Sequence, residues 1–315
     1  DVNGNVNTET AIVTVFDIIK PEAICQNITL QLDANGQASI VPADIDNGSN
    51  DACGIASLEA SQLNFDCAHV GDNFITLTVT DVNGNVSTCV ATVTIENDLP
   101  EINTVTITNV VNIADVVMAQ ANYTDVNLVD VVWNWGNGVT STGTIDAISG
   151  NVYGQHVYAQ TGLYDVTVTI TDICGETATQ TYSYVVIYDP CAGHVTGGGY
   201  LEENGNKNNY GFNAKYDKET LQPKGSVNFK VKSENIHFKS EQVDWLMVNN
   251  DQAIFNGTGT INDAGNFHYI VSFIDGDITG QKTVDLLRII IWDENGQVYY
   301  DNQVGAPDVA RATTQ

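Results

Sequence analysis

The sequence predicts an all-β protein built of sandwiches in series, and three observations carry that expectation. The hexapeptide Asp-Val-Asn-Gly-Asn-Val occurs at Asp1–Val6 and again at Asp81–Val86, and the match continues at Thr8/Thr88, Ala11/Ala91, Val13/Val93 and Thr14/Thr94. A repeat of that length is a whole folding unit, far longer than the unit of a solenoid. Apolar and polar residues alternate with a period of two through runs rich in Val, Ile and Thr. The C-terminal third shows no sustained helical period. Asp1–Lys20 matches the tail of the repeat and reads as the last strand of a preceding module.

Composition narrows the function classes. The chain has 315 residues, which suggests two to three domains. Its formal charge is −28, and before Cys191 the only basic residue is Lys20, against 23 acids. Such a surface repels phosphate, so nucleic-acid binding is excluded. The acidity serves solubility or is satisfied by Ca²⁺. No apolar run is long enough to span a bilayer, so no membrane insertion is expected. Six cysteines lack zinc-site spacing and read as disulfides of an extracellular protein.

From Pro21 to Asp98, alternating strands are expected at Ile28–Leu32, Ala38–Val41, Phe74–Val79 and Val90–Ile95. Turns fall at Asp33–Gly36, Asn47–Asp51 and Asp81–Asn85, where Asn-Gly and Asp supply positive φ. Short strands of this kind over roughly eighty residues build an immunoglobulin-like sandwich. Its four cysteines allow three pairings. Cys25–Cys89, joining the starts of the first and last strands, and Cys53–Cys67, closing a short excursion, are favoured at about 3–4 kcal/mol each. Glu9 stands where the repeat has Cys89, so the first bridge is dispensable or replaced in the neighbour. Asp81, Asn83 and Asn85 are candidate Ca²⁺ ligands. Pro21–Thr29, Asp46–Ile55 and Thr80–Cys89 together resemble the hyalin-type (HYR) repeat of Bacteroidota surface proteins. That resemblance implies an extracellular, tandemly repeated adhesion or spacer unit without catalysis.

From Leu99 to Asp189, Val131, Trp133 and Trp135 share one face of a strand that ends in a glycine turn. His156-Val-Tyr158 and the alternating Gly162–Asp172 follow. This stretch resembles a PKD domain, with Asn134 and Asn137 where that family usually carries Asp, a change that weakens a metal role for the turn. Trp133 and Trp135 read as sandwich core rather than a sugar platform, and His156 as a hydrogen-bonded structural residue. Cys174 and Cys191 flank a strand spanning on the order of 35 Å, too far for them to pair with each other.

From Pro190 to Gln315 lysines appear, and strands are expected at Tyr210–Tyr216, Val227–Lys232, Val243–Val248, Gln252–Asn262, Phe267–Ile274, Leu286–Trp292 and Gln297–Asp301. An antiparallel β-sandwich or jelly-roll-like domain fits. Gly193–Tyr200, Tyr210–Phe212, Gly257–Ile261, Ile291–Asp293 and Tyr300–Gln303 resemble the module that follows PKD domains in many secreted bacterial proteins. Asp275, Asp277 and Asp285 are further Ca²⁺ candidates, with an Asp285–Arg288 ion pair as the alternative. Trp245, Trp292 and Tyr300 are candidate glycan contacts, with Tyr299 beside them; alternation turns at least half of these aromatics inward.

Catalysis is not expected. The five histidines (69, 156, 194, 237, 268) are scattered, and no nucleophile, phosphate-loop or dinucleotide motif occurs. The leading reading is a stalk-and-tip segment of a large surface adhesin resembling those of gliding Bacteroidota. Its partners would be neighbouring repeats of the same polypeptide, surface polysaccharide or other cell-surface proteins. The alternatives are an accessory carbohydrate-binding region of a polysaccharide-degrading enzyme, and a carrier for a type IX secretion signal.

Overall fold

The computed structural model describes residues 6, 8–203, 205–276 and 285–304. Among them are 23 strands, two 3₁₀ turns and no α-helix, as the period-two pattern predicts. The chain forms two compact units.

The first unit comprises residues up to Glu101 with Thr124–Val129 and Ile170–Ala178. Strands β1 (Ile28–Gln31), β3 (Ile55–Ala60), β5 (Gly71–Asp81) and β6 (Val86–Glu96) form a sheet in the order β1-β6-β5-β3. β2 (Gln37–Ser39) pairs with β4 (Asn64–Asp66). β1 runs parallel to β6 while the other pairs are antiparallel. Alternation directs Ile75, Leu77 and Val79 of β5 and Ala91, Val93 and Ile95 of β6 into one core with Leu32, Ile45 and Phe65. Phe74, on the opposite face, is exposed.

One turn chemistry recurs. In Asp33–Gln37, Asp81–Asn85, Asp172–Glu176 and Asp293–Gln297, the aspartate N–H donates to the carbonyl four residues on. The glycine N–H returns a bond to the aspartate carbonyl. The aspartate Oδ1 accepts the N–H of the fifth residue at 2.8–3.0 Å. Each turn has its glycine at φ between +69° and +88°, the region where a side chain is strained. The carboxylate thus replaces ladder bonds lost at the hairpin end.

The disulfides are Cys25–Cys89 (Cα–Cα 5.8 Å) and Cys67–Cys174 (5.2 Å). The expected Cys53–Cys67 bridge is therefore corrected: Cys53 is a free, exposed thiol. Cys67 opens the 3₁₀ turn Cys67–His69 and meets Cys174, which fills the third position of the Asp172–Glu176 turn. Proximity in sequence failed because a distant hairpin tip packs on this sandwich. Cys191 is free, so Cys174 and Cys191 do not pair. The strand expected within Asp1–Lys20 is also corrected. Its described residues form none, and Ile12, Val13, Val15 and Phe16 are exposed; no neighbouring strand takes up their backbone groups.

The second unit comprises Ile102–Tyr123, Asp130–Thr169 and residues from Thr179 onward. One sheet has the order β11 (Thr140–Thr142), β10 (Leu128–Asn134), β14 (Gly162–Asp172), β15 (Thr177–Tyr188), β8 (Val110–Asn112). Its partner is β12 (Thr144–Asp146), β13 (Asn151–Val157), β9 (Val116–Thr124), β7 (Glu101–Ile107). Trp133, Trp135 and Tyr158 are fully buried with Val117, Ala119 and Val152. The Trp135 indole donates to Ser141 (2.9 Å), and the Tyr158 hydroxyl donates to the Trp135 carbonyl (2.7 Å). His156 stacks on Trp135 and meets the Asn137 amide at 3.0 Å. The Trp133 ring lies so close to β13 that a Cβ on Gly154 would sit 2.6 Å from it.

From His194 the chain is one antiparallel meander: β16 (His194–Glu203), β17 (Asn206–Tyr216), β18 (Pro223–Val231), β19 (Ile236–Asn249), β20 (Gln252–Ile261), β21 (Ala264–Ile274), β22 (Leu286–Asp293) and β23 (Val298–Asp301). Phe212, Phe229, Phe238, Phe255, Tyr269 and Ile289 share its core. Register shifts at Ser240/Gln242 and Val243/Trp245 mark irregularities in β19. Beyond them Trp245 and Met247 face a second cluster with Ile254 and Val186, while Leu246 stays in the main core.

Two outcomes are expected. Cys174→Ser should release Cys67 to thiol reagents and lower the urea midpoint, the lost loop constraint being about 4–5 kcal/mol; Cys53→Ser should leave the midpoint unchanged. Gly154→Val should destabilise by about 2 kcal/mol or more in the same assay, because neither the indole nor the strand can yield.

Candidate functional site

The residues nominated from sequence fall in separate parts of the chain's two units. Asp81 is 1 % exposed, and its two oxygens accept from the N–H of Asn83 and Asn85 and from the Asn85 amide, each at 2.8 Å. Those donors hold its carboxyl below the usual range against the effect of burial. Its acceptor capacity closes the turn. In the other nominated loop, Asp285 Oδ1 accepts the Gly276 N–H at 3.1 Å, and Asp277 lies outside the described residues. Arg288, 2 % exposed, forks onto Asp301 at 3.0 and 3.2 Å.

Of the three candidate glycan contacts two are buried: Trp245 packs in the second cluster, and Tyr300 packs against Phe229 at 4.6 Å. Trp292 is half-buried and stacks on His268, its partner in the ladder. The β19 register shifts place Trp245 on a face that Val186 and Leu163 cover, which a period-two reading cannot anticipate.

A network of polar side chains lies where β6 ends. Asn97 donates to Asp172 Oδ2 at 2.6 Å and accepts from the Asn127 amide at 3.0 Å. Asp172 is 2 % exposed and Asn127 3 %. Asn127 Oδ1 and Asp125 Oδ2 are buried with no hydrogen-bond partner. Burial, with the nearby carboxylates of Asp172 and Asp98, pushes Asp125 above the ordinary carboxylate value, against the Asn127 N–H it accepts. Asp125 Oδ2 and Asn127 Oδ1 are thus two buried, unsatisfied oxygens in a polar network, the kind of atom that a hard divalent cation satisfies. One sequence signal existed: Thr124-Asp-Val-Asn127 repeats Thr80-Asp-Val-Asn83. A separate group, Asp17, Asp51 and Cys53, brings its ligand atoms within 4.8 Å. There Asp17 pushes the Cys53 thiol up, by hydrogen bond and then by charge.

Among the described residues no helix is long and apolar enough to cross a membrane. The two disulfides belong to an oxidising, extracellular compartment.

No family model matches the chain, and no curated protein does. Over 29 % of its length it is similar to the PKD1 domain of Vibrio anguillarum Epp (28 % identity, 98 % of that chain, TM-score 0.23). A PKD1 domain from the Vibrio cholerae metalloprotease PrtV gives 29 % identity over 29 % of this chain and 99 % of that one, TM-score 0.23. Over 64 % of its length it is similar to a structure from a study of carbohydrate-binding modules of the β-sandwich superfamily (15 % identity, 80 % of that chain, TM-score 0.28). The sheets above make the chain an all-β protein of immunoglobulin-like β-sandwich type.

Asp33, Asp81 and Asp146, held low by turn donors, contribute stability present above the unfolded carboxylate value of about 4 and lost as pH falls through their folded values. Asp125 acts oppositely: its raised value costs stability as pH rises through it. Urea midpoints should therefore hold or rise slightly on acidification toward pH about 5, then drop below pH about 4. A midpoint that climbs steadily to pH about 3 contradicts this assignment.

Proposed function

We propose that the chain is a non-catalytic segment of a large, repetitive cell-surface adhesin, with HYR-type and PKD sandwiches serving as a stapled stalk for display. The observation that supports this most is the interleaving of the two disulfides: Cys67 lies between Cys25 and Cys89, and Cys174 beyond them. Tension applied along such a chain bypasses most of residues 25–174 and is carried by covalent bonds. Hydrolytic chemistry gains nothing from that arrangement; a tether does.

Calcium is assigned to the carboxylate group where the first sandwich meets the hairpin tips. Asp125 and Asn127 would hold the ion through their two orphaned oxygens, and its charge would offset the nearby carboxylates of Asp172 and Asp98. A cation binding only the folded form at a hundredfold excess over its Kd adds about 2.7 kcal/mol.

Force–extension traces test the tether. Oxidised chains should fall short of full extension, and reduction should release about 400 Å more; equal extension before and after reduction rejects the stalk reading. Calcium should raise the melting temperature by about 5 °C or more over EDTA. Asp125→Asn should abolish that response while melting no lower than the parent in EDTA, because it removes a buried charge.

A further inference from the structure

Ten of the chain's eleven basic residues follow Cys191. On the outward face of the last meander a cleft of about 330 Å³ is lined by Lys230, Lys232, Asn235, Ile236, His237 and Asn262. Lys230 and His237 stand opposite each other in the β18–β19 ladder. Lys239, two residues beyond His237, is paired with Asp263 at 2.6 Å. Lys230 and Lys232 have no ion pair among the described residues. Glu234, exposed in the β18–β19 turn, is the other acid nearby.

His237 Nε2 is buried without a partner. Burial, then Lys230 and Lys239, hold its ring below the ordinary imidazole value against the pull of Asp263. Asn262 accepts the His237 backbone N–H and donates to the Asn235 carbonyl, and makes no bond to that nitrogen. The same outward row continues across the sheet: Asn209 faces Lys230, and Tyr200 faces Asn209. Tyr200 is half exposed, with the Lys207 amine 3.9 Å over its ring. At about 4.8 Å per strand, the row from Tyr200 to His237 is about 14 Å long.

A buried donor or acceptor left unmade costs stability, and adjacent uncompensated ammonium groups repel. An anion in the cleft relieves the repulsion between the lysines. The volume exceeds what one carboxylate needs, and the row beyond offers an amide and an aromatic face, as an extended polar chain requires. We infer that this cleft and row bind an acidic polysaccharide, one sugar seating its carboxylate or sulfate between Lys230, Lys232 and His237. The preceding sandwiches, with one basic residue against 23 acids, repel the same polymer, so contact is confined to the last module. This deepens the display reading by naming what the display end holds. The two are tested apart, since tension and melting read the stalk while retention reads the cleft.

The full chain is run through gels containing polygalacturonate, dextran sulfate or neutral dextran. Retardation is expected with at least one acidic polymer, telling carboxylate from sulfate, and none with dextran; it should vanish near about 0.5 M salt. Lys230→Ala/Lys232→Ala should weaken binding about tenfold or more at unchanged melting temperature, while Lys218→Ala, outside the cleft, should not. Retardation by neutral dextran, none by either acidic polymer, or equal retardation of the double variant overturns the inference. So does low-salt self-association that the double variant abolishes, which would give the basic face to the acidic sandwiches of a second copy.

Discussion

The arrangement of the first unit depends on one hairpin tip, Asp172–Glu176, being held as part of a sandwich far away in sequence. The covalent element is Cys67–Cys174. Beside it Asn97 bridges Asp172 and Asn127, and Ile173 closes over Gly36, where an added Cβ would lie 2.6 Å from its methyl group. Gly36 is therefore constrained twice, by its positive φ and by its neighbour. Two turns of identical chemistry, Asp33–Gln37 and Asp172–Glu176, thus abut. A disulfide at such a contact removes chain entropy over a loop of 107 residues, more than any one contact there supplies.

Much of this was legible in the residues, for local reasons. The Asp-x-x-Gly turns could be read because the carboxylate, the positive φ and the hairpin are all specified within five residues. Ile75, Leu77 and Val79 could be assigned inward because a regular strand turns strictly by two. Trp133 and Trp135 share the parity of Val131, so their burial followed too. The failures are nonlocal. Cys67 chose a partner 107 positions away, and nothing near Cys53 could reveal it. Trp245 lies just beyond two register shifts, and its covering face comes from Val186 and Leu163. Residues 8–19 have the composition of β6 but no adjacent strand among the described residues, and a strand's composition does not supply its ladder.

Acidity and metal sites also part company for a physical reason. Most aspartates sit in turns, where backbone N–H groups consume their lone pairs; Asp33, Asp81 and Asp293 are satisfied this way. A carboxylate so engaged is a poor ligand, however many of its kind the sequence holds. Asp125 differs because one of its oxygens is buried and unmatched beside two further carboxylates. The useful criterion is therefore the unsatisfied oxygen, not the local density of Asp and Asn.

The segregation of charge gains meaning from the same reasoning about range. Screening confines surface electrostatics to about 8 Å at physiological ionic strength, so a lysine is neutralised only by an acid beside it. Lys239 and Lys224 are each neutralised locally, by Asp263 and Asp217. Lys230 and Lys232 border a recess that also contains an orphaned imidazole nitrogen. Two exposed lysines cost little by themselves. Joined to a buried polar atom that no side chain satisfies, they describe a place completed from outside, and their sign selects an anion.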